Sequence, residues 1–402
     1  MRCPTKILIL GNYRNALTVA RQLGKQHQVI LGGASGGSRV GQSRFIAETW
    51  PLPDAGSDDF ADTLESLLQR IPDDPVLFPI GDVELYGLLS VPSIVDGTVK
   101  AVMPQPEVVA VCLDKAAQVD LAHNLRIPQA DYRKVTQLSE LQDAVREVGC
   151  PCIIKSDHQL SRAFGSKAYP VSTLDELAAL IDHEPEQQHG LIVQAVATGL
   201  RHNVYFAADR GRLVGAMEAR VLRTDIFDGS GYTVESKSVP LSDALRQHTE
   251  SLVETLEYHG IGNTQFLVDR EQGEISFLEI SPRMGAAYAV TVPCGFDFAQ
   301  AGLGLAVGDP LRPESLPRDY PSGRRLAWSF GDLAGLINAA RRRDIRTSQI
   351  LLWLWCSIRG AVSADIHTTW SWRDPNPTLA IAFAAVRNLW NFASRAPAKR
   401  QQ

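Results

Sequence analysis

The chain has 402 residues, of which 45% are hydrophobic and 21% are charged, and its formal net charge is −5. This length is sufficient for about two or three domains, and the composition is that of an ordinary globular protein, neither disordered nor fibrous. The negative net charge argues against nucleic acid as the main partner, because no broad basic surface is implied.

Six cysteines are scattered along the chain, and only Cys150 and Cys152 are closely spaced. A C-x-C pair matches no common zinc spacing, so reduced and mostly buried thiols are expected. No segment has the pattern of a signal peptide, and no apolar run approaches the length of a membrane span. These observations predict an intracellular, cytoplasmic protein.

Residues 1–110 have the pattern of an α/β unit. The apolar runs 7–10 and 29–31 flank a segment, 16–23, that has helical spacing. This strand–helix–strand order predicts a parallel sheet. The glycines that follow do not form G-x-G-x-x-G after the first strand, which argues against a dinucleotide.

A further apolar run in this unit, 76–80, is followed directly by Asp82 and Glu84. Open α/β sheets place ligands at the carboxyl ends of their strands, so both carboxylates are candidate ligand-binding groups. The alternative is that they are capping charges at the start of a helix, and this is the preferred interpretation.

The character of the sequence changes near residue 111. Asp114 and Lys115 open an amphipathic segment, and a later β-branched run ends in Lys155. A lysine that leaves a buried strand meets either water or an anion such as phosphate. The polar segment 156–169 follows, and it is either a lid over a nucleotide or a plain hairpin connection.

Residues 263–287 have the pattern of a β-hairpin. Gln265 and Glu279 fall on facing strands, with Ser281 and Arg283 just beyond the second strand. An inward-facing carboxylate among apolar neighbours is costly to bury unless a cation compensates its charge. A site with only a few oxygen ligands from the protein is typical of Mg²⁺, which completes its octahedron with water and phosphate. The alternative is an ordinary hairpin that tolerates one glutamate.

Residues 310–321 contain four prolines and predict a linker. Beyond them lie a basic cluster, 341–343, and an apolar helical segment with Trp353 and Trp355. This region either lies in a membrane interface or forms a helical layer packed on the main domain or on a dimer partner. The packed layer is the preferred interpretation.

Taken in chain order, these residues resemble the ATP-grasp superfamily over about 111–310, and the unit before them resembles its usual pre-ATP-grasp domain. The residues that the resemblance assigns to the nucleotide are Lys115, Lys155, Gln194, Ala195, Val196 and His202. The lysines match the family's phosphate-binding lysines. The next three match the strand whose backbone binds adenine, although glutamate is often seen where Gln194 stands. His202 falls where several members contact the ribose.

Gln265 and Glu279 match the two metal-binding positions, and glutamine at the first of them occurs in carbamoyl-phosphate synthetases. The motif that ends in Arg283 resembles the family's E-x-N-P-R, with Ser281 in place of the asparagine. Ser156 likewise stands where proline is usual. Because a hydroxyl is also an oxygen ligand, Mg²⁺ or Mn²⁺ remains the expected metal.

Two arginines are the catalytic candidates that the resemblance implies. Arg283 would lie beside the transferred phosphoryl group or the substrate carboxylate, where its planar fork is useful. Arg220, at the end of a predicted strand, either faces the same pocket or is a solvated strand-end arginine.

The activity that the resemblance implies is carboxylate–amine ligation. ATP phosphorylates a carboxylate, and an amine then attacks the acylphosphate to form an amide or peptide-type bond. The expected partners are small-molecule carboxylates and amines, with amino acids suggested by family analogy alone. Two alternatives stay open, a kinase or phosphotransferase on the same fold and a non-catalytic nucleotide-binding protein.

The sequence therefore predicts an α/β chain with an α+β ATP-grasp core. Residues 1–110 form the parallel α/β domain, and residues 111–310 form the ATP-grasp domain. Within the latter, the lid subdomain covers about 111–190 and the metal and substrate subdomain about 191–310. Residues 311–402 form the linker and a helical, Trp-rich region, which is a candidate surface for a lipid-linked substrate, a membrane or a homodimer.

Overall fold

The computed structural model describes residues 5–33, 39–71, 75–183, 190–269, 271–309 and 316–394. Within these ranges the chain forms three sheets with helices packed on their faces. This architecture confirms the predicted α/β class.

The N-terminal unit is a parallel sheet flanked by helices. Its strands are β1 (Lys6–Leu10), β2 (Gln28–Gly32), β3 (Glu48–Trp50) and β4 (Val76–Pro79). Its helices are α1 (Arg14–Leu23), α2 (Phe60–Leu68), α3 (Asp82–Leu88), α4 (Pro92–Val95) and α5 (Pro106–Leu113). The strands lie in the order β3-β2-β1-β4 and all pair in parallel, as the strand–helix–strand pattern predicts. The short strand β3 was not among the predicted strands.

Helix α6 (Lys115–Asn124) follows α5 after a single residue, Asp114. The Asp114 carboxylate accepts a hydrogen bond from the Ala117 N–H at 2.9 Å. This is an N-cap, and it explains why the helix begins at Lys115.

The second sheet is antiparallel and covered on one face. Its strands are β5 (Tyr132–Val135), β6 (Cys152–Ser156), β7 (Tyr169–Val171) and β8 (Leu191–Ala195), in the order β5-β8-β6-β7. Helices α7 (Leu141–Val148) and α8 (Leu174–His183) cover the face that carries Ile154 and Val193. Because side chains alternate along a strand, the other face carries Lys155 and Gln194.

The third sheet is the largest and forms the centre of the molecule. Its strands are β9 (Leu200–Asp209), β10 (Arg212–Thr224), β11 (Thr233–Val239), β12 (Gly260–Asp269), β13 (Glu274–Ser281), β14 (Arg325–Ala327) and β15 (Ile366–His367). They lie in the order β13-β12-β9-β10-β11-β14-β15. Helices α9 (Asp243–Thr255) and α10 (Phe298–Ala306) pack on opposite faces of it. The β12–β13 pair is the predicted hairpin, and Arg270 in its turn lies outside the described residues.

The C-terminal region completes the central sheet. Strand β14 pairs with β11, and β15 pairs with β14. The helices of this region are α11 (Ser329–Arg342), α12 (Thr347–Ser363) and α13 (Asn376–Ser394). The region is therefore packed on the main sheet, in agreement with the preferred interpretation of its sequence.

The predicted linker is packed where the structure describes it. Residues 310–315 lie outside the described residues, but Leu316 is buried beside Gly215. The Tyr320 hydroxyl donates to the Val239 carbonyl at 2.7 Å and accepts from the Glu218 N–H at 2.9 Å. The second half of this segment is therefore packed against the central sheet through Leu316 and Tyr320.

Helix α12 has one buried tryptophan and one exposed tryptophan. The Trp353 indole N–H donates to the Asp332 carboxylate at 2.5 Å, whereas Trp355 is 64% exposed. In the part of the chain that the structure describes, no helix combines the length and the apolar character that a membrane span needs.

Candidate active site

One face of the central sheet brings together the predicted metal-binding residues. Residues that pair across neighbouring strands point to the same face, and so do residues two apart on one strand. Two adjacent rows on this face are Asn203, Gln265 and Glu279, and then Tyr205, Asn263 and Ser281. The hairpin register therefore places Gln265 opposite Glu279, with Ser281 one row further on.

The Gln265 and Glu279 side chains are in direct contact. The Gln265 amide donates to Glu279 Oε1 at 2.6 Å, and both residues are half-buried. Among the described residues, no group of three or more His, Cys, Asp or Glu side chains could hold a metal ion. A carboxylate, an amide oxygen and a hydroxyl are nevertheless hard ligands, and they suit a cation that takes its other ligands from water and phosphate. The donor set thus fits Mg²⁺ better than Zn²⁺.

Two lysines face this carboxylate. Lys155, on β6, donates from Nζ to the Gln194 side-chain oxygen at 2.7 Å. Burial and the charge of Lys115 together lower the pKa of Lys155 to about 8, against the opposing charge of Glu279. Burial also lowers the pKa of Lys115, again against the charge of Glu279. Positive charge is therefore concentrated in front of Glu279, as a polyphosphate site requires.

The segment 156–169 lies beside these lysines. The Lys115 N–H donates to the Asp157 carbonyl at 2.6 Å, and the Gln159 N–H donates to the Leu113 carbonyl at 2.8 Å. The charge of Lys167 acts on the pKa of Lys115. The segment also joins β6 to its antiparallel neighbour β7. Both interpretations of its sequence are therefore compatible with the fold, since the segment is a hairpin connection that lies beside Lys115.

The residues assigned to the adenine lie where β8 leaves the second sheet. Gln194 is buried, and the Ala195 N–H donates to the Asp131 carbonyl at 2.8 Å. Val196 is 46% exposed just beyond the strand. The prediction that this backbone binds adenine stays a prediction.

His202 and Arg220 lie on the opposite face of the central sheet. They pair with each other across β9 and β10, and the alternate residues Val204 and Phe206 of β9 pack in the cluster that α9 covers. The His202 ring is fully buried and hydrogen-bonds to the Glu218 carboxylate. The structure therefore does not bring these two predicted residues to Glu279, and this placement corrects the expectation that they face the nucleotide cleft.

Arg201 is a charged residue of β9 on the same face as Glu279, and it was not among the residues predicted from the sequence. Its Nη2 donates to the Gly231 carbonyl at 2.9 Å and to the Thr233 hydroxyl at 3.2 Å. Burial lowers the pKa of Arg201, and the charge of Glu279 is the largest opposing effect. The alternation of side chains along β9 identifies it, since Arg201 and Asn203 are two residues apart and therefore lie on the same face of the sheet.

Arg283 is fixed by a carboxylate from the N-terminal unit. Its Nε and Nη2 donate to the two carboxylate oxygens of Asp82, each at 2.7 Å. Burial works to lower the pKa of Arg283, but the charge of Asp82 and its hydrogen bond raise it overall. The preferred interpretation of Asp82 as a capping charge is therefore incomplete, because its side chain orients Arg283 at the cleft.

Glu84 is a buried carboxylate close to this ion pair. Among the described residues, neither of its oxygens has a hydrogen-bond partner of good geometry. Burial, with smaller contributions from the charges of Asp54 and Asp82, raises the pKa of Glu84 to about 7. A Cβ on Gly81 would come within 2.3 Å of Glu84 Oε2, so the carboxylate needs a glycine at this position.

Comparisons with known proteins identify the fold. The pattern described as carbamoyl-phosphate synthase L chain, ATP binding domain, matches residues 237–314. The biotin carboxylase domain of Hydrogenobacter thermophilus 2-oxoglutarate carboxylase superposes with a TM-score of 0.64 at 14% identity, covering 81% of this chain and 74% of that one. The chain has the ATP-grasp fold. The resemblance to the ATP-grasp superfamily that the motifs indicate is thereby confirmed.

Two further proteins are similar to this chain. N5-carboxyaminoimidazole synthase from Aspergillus clavatus superposes with a TM-score of 0.59 at 16% identity, covering 79% of this chain and 80% of that one. The carbamoyl phosphate synthase large chain of Clostridium acetobutylicum is 28% identical over 180 residues, which are 42% of this chain and 16% of that relative. The chain spans about a fifth or less of the length of the synthase chains it matches.

Proposed function

We propose that this chain is a carboxylate–amine ligase that uses ATP and Mg²⁺. The γ-phosphoryl group of ATP is transferred to a carboxylate oxygen, which gives ADP and an acylphosphate. An amine then attacks the acyl carbon, and the C–O bond to phosphate breaks as the amide forms. The observation that carries this proposal is the opposition of Lys115 and Lys155 to the Gln265–Glu279 pair in an ATP-grasp fold.

The residues of the chain bind and orient the reactants. Lys115 and Lys155 neutralise the phosphate oxygens, since both lie in a cleft where burial disfavours an uncompensated cation. Glu279, Gln265 and Ser281 would hold Mg²⁺. When bound, this ion neutralises charge on the phosphoryl group during transfer. Arg283, oriented by Asp82, presents its fork to the carboxylate that is activated.

The named ligands of similar proteins support the choice of nucleotide, metal and reaction class. The Hydrogenobacter domain was solved with magnesium ADP and bicarbonate, and the Aspergillus enzyme with ADP and an aminoimidazole ribonucleotide. The substrates of this chain are expected to be small molecules, and an amino acid remains the suggestion of family analogy.

The test is the release of ADP from magnesium ATP with pools of carboxylates and amines, offered separately and together. A ligase releases ADP in proportion to amide only when both pools are present. Hydroxylamine in place of the amine should trap the acylphosphate as a hydroxamate. Release of ADP with an alcohol or carboxylate alone, without hydroxamate, would identify a phosphotransferase instead. Binding of ATP without any release across all pools would favour a binding protein.

A further inference from the structure

Arg14 is a buried cation that the proposed chemistry does not use. It is the first residue of α1, and only 7% of its surface is exposed. Its Nε donates to the Ala286 carbonyl at 3.3 Å, three residues beyond Arg283. Among the described residues, its Nη2 has no hydrogen-bond partner. A buried guanidinium with a free donor is costly unless a ligand completes its hydrogen bonds.

An aromatic wall fixes the plane of this guanidinium. The Arg14 guanidinium carbon lies 3.5 Å from the centre of the Trp328 ring and 5.4 Å from that of Tyr232. The Trp328 ring in turn lies against Gly331, where a Cβ would come within 2.0 Å of it. Glycine at that position therefore allows α11 to bring the indole onto Arg14. Stacking of this kind leaves the edge of the guanidinium free to donate.

A second cation and a buried amide lie nearby. The charge of Arg201 acts on the pKa of Arg14, and the Nε of Arg201 has no partner in the described ranges. Asn263 is 1% exposed, and neither atom of its amide has a partner there. The Asn263 oxygen lies 3.2 Å from where a Cβ of Gly285 would stand, next to the Tyr205 ring. Among the described residues, polar atoms without hydrogen-bond partners on Arg14, Arg201 and Asn263 therefore collect close to Tyr205.

The electrostatics of this cluster favour an anion. Burial lowers the pKa of Arg14 to about 10, and Asp225 is the strongest opposing charge. The Asp225 carboxylate is already engaged, since it accepts a hydrogen bond from the Tyr232 N–H at 2.6 Å. The charge of Glu279 acts on both lysines and on Arg201, whereas neither lysine is among the main charges that act on Arg14. The cluster is therefore a second positive region beside the phosphate-facing one.

We propose that Arg14 and Arg201 bind an oxyanion of the substrate, a carboxylate or a phosphate, distinct from the carboxylate that is activated. Trp328 and Tyr232 lie beside the part of the substrate that carries this oxyanion. The inference rests on the proposed ligase function and narrows its substrate class to molecules with a second anionic group. It also gives the C-terminal region, through Trp328, a role in substrate binding.

The test is a calorimetric titration of the full chain at constant ionic strength, after saturation with Mg²⁺ and a non-hydrolysable ATP analogue. The probes are acetate, benzoate, inorganic phosphate and phenyl phosphate, so that the carboxylate and phosphate arms identify the source of the oxyanion. At least one probe should bind saturably, the aromatic member of its pair more tightly. Arg14→Gln and Arg201→Gln should each weaken that binding by about tenfold or more.

The controls separate this inference from the ligase proposal. Arg212→Gln, which removes an exposed charge at the far end of β10, should leave probe binding unchanged. If Arg14→Gln fails to fold, Arg14→Lys replaces it in the test. This variant keeps the charge without the fork, and it should bind the probe with an affinity between those of wild type and a variant without the charge. Trp328→Leu should abolish the preference for aromatic probes.

If the nucleotide analogue does not bind, the ligase proposal fails, and the same titration without nucleotide still tests the oxyanion site. Equal probe affinity in wild type and both arginine variants, or no saturable binding to wild type, would overturn the inference.

Discussion

Glu279 is the residue on which the proposed chemistry depends most directly. It is half-buried and hydrogen-bonded to Gln265, and its charge acts on both lysines of the cleft. Glu279→Gln should lower Mg²⁺-dependent ADP release by at least about a hundredfold, because it removes the one carboxylate of the donor set. Urea unfolding should show a folded protein, since the change is isosteric. Glu274→Gln, an exposed glutamate on the same strand, is the matched control. Wild-type turnover in a folded Glu279→Gln protein would contradict the metal assignment.

Glu84 predicts a dependence of stability on pH. Its pKa in the folded protein is about 7, above the ordinary value of 4.5, because of burial and of the neighbouring carboxylates. A raised folded-state pKa contributes stability that is fully present below pH 4.5 and is lost as the pH rises through about 7. Between pH 5 and pH 8 the free energy of unfolding should therefore fall by roughly 2 to 3 kcal/mol from this group.

Glu84→Gln should remove that part of the pH dependence, because the amide stays neutral. The measurement is urea unfolding of wild type and variant at pH 5 and pH 8, with exposed Glu107→Gln as control. The variant should gain stability relative to wild type as the pH rises. Parallel pH profiles for the two proteins would show that Glu84 ionises as an ordinary glutamate.

At the scale of single elements, the sequence predicts the type of an element and its pairing better than it predicts the face on which a side chain lies. The hairpin was predicted from its alternating pattern, and its register does set Gln265 against Glu279. On β9, by contrast, His202 was chosen by its spacing from the adenine strand, and a shift of one residue moves a side chain to the other face. Both faces of β9 are buried, so hydrophobic alternation does not distinguish Arg201 from His202.

This difference between neighbouring residues can be tested with His202→Leu. The change removes the hydrogen bond that His202 makes to buried Glu218, so it should lower the free energy of unfolding by about 2 kcal/mol or more. Affinity for magnesium ATP should stay within about twofold of wild type, because the ring lies on the face away from Glu279. A loss of nucleotide affinity without a loss of stability would restore His202 as a nucleotide contact.

At the scale of the whole molecule, sequence patterns indicated the order of the units along the chain but not which sheet each strand joins. Residue 191 was predicted to begin the metal subdomain, whereas β8, which begins there, pairs with β5 and β6 of the second sheet. Residues 311–402 were predicted as a linker and a helical region, yet β14 and β15 extend the central sheet. Strands of two or three residues leave no periodic signal, and their pairing is decided by long-range contacts. The domain boundaries themselves stay a prediction.

Asp374 shows how the C-terminal region is joined to the N-terminal unit. Its buried carboxylate accepts from Arg21 Nε at 2.9 Å, from the Ser43 hydroxyl at 2.8 Å and from the Arg44 N–H at 3.0 Å. Asp374→Ala would leave a largely buried Arg21 without its counter-ion. Such a change is expected to cost about 3 to 5 kcal/mol, far more than the loss of an exposed pair.

The consequence of Asp374→Ala should therefore extend beyond its immediate neighbours. We expect a lower urea midpoint and faster amide hydrogen exchange in both α1 and the segment 364–376, since the same carboxylate joins them. Asp120→Asn, which removes an exposed partner of Lys134, is the matched control and should cost less than about 1 kcal/mol. If exchange accelerates only in the C-terminal segment, the N-terminal unit is stable without it. Faster exchange in both would show that α1 and the segment 364–376 unfold as one cooperative unit.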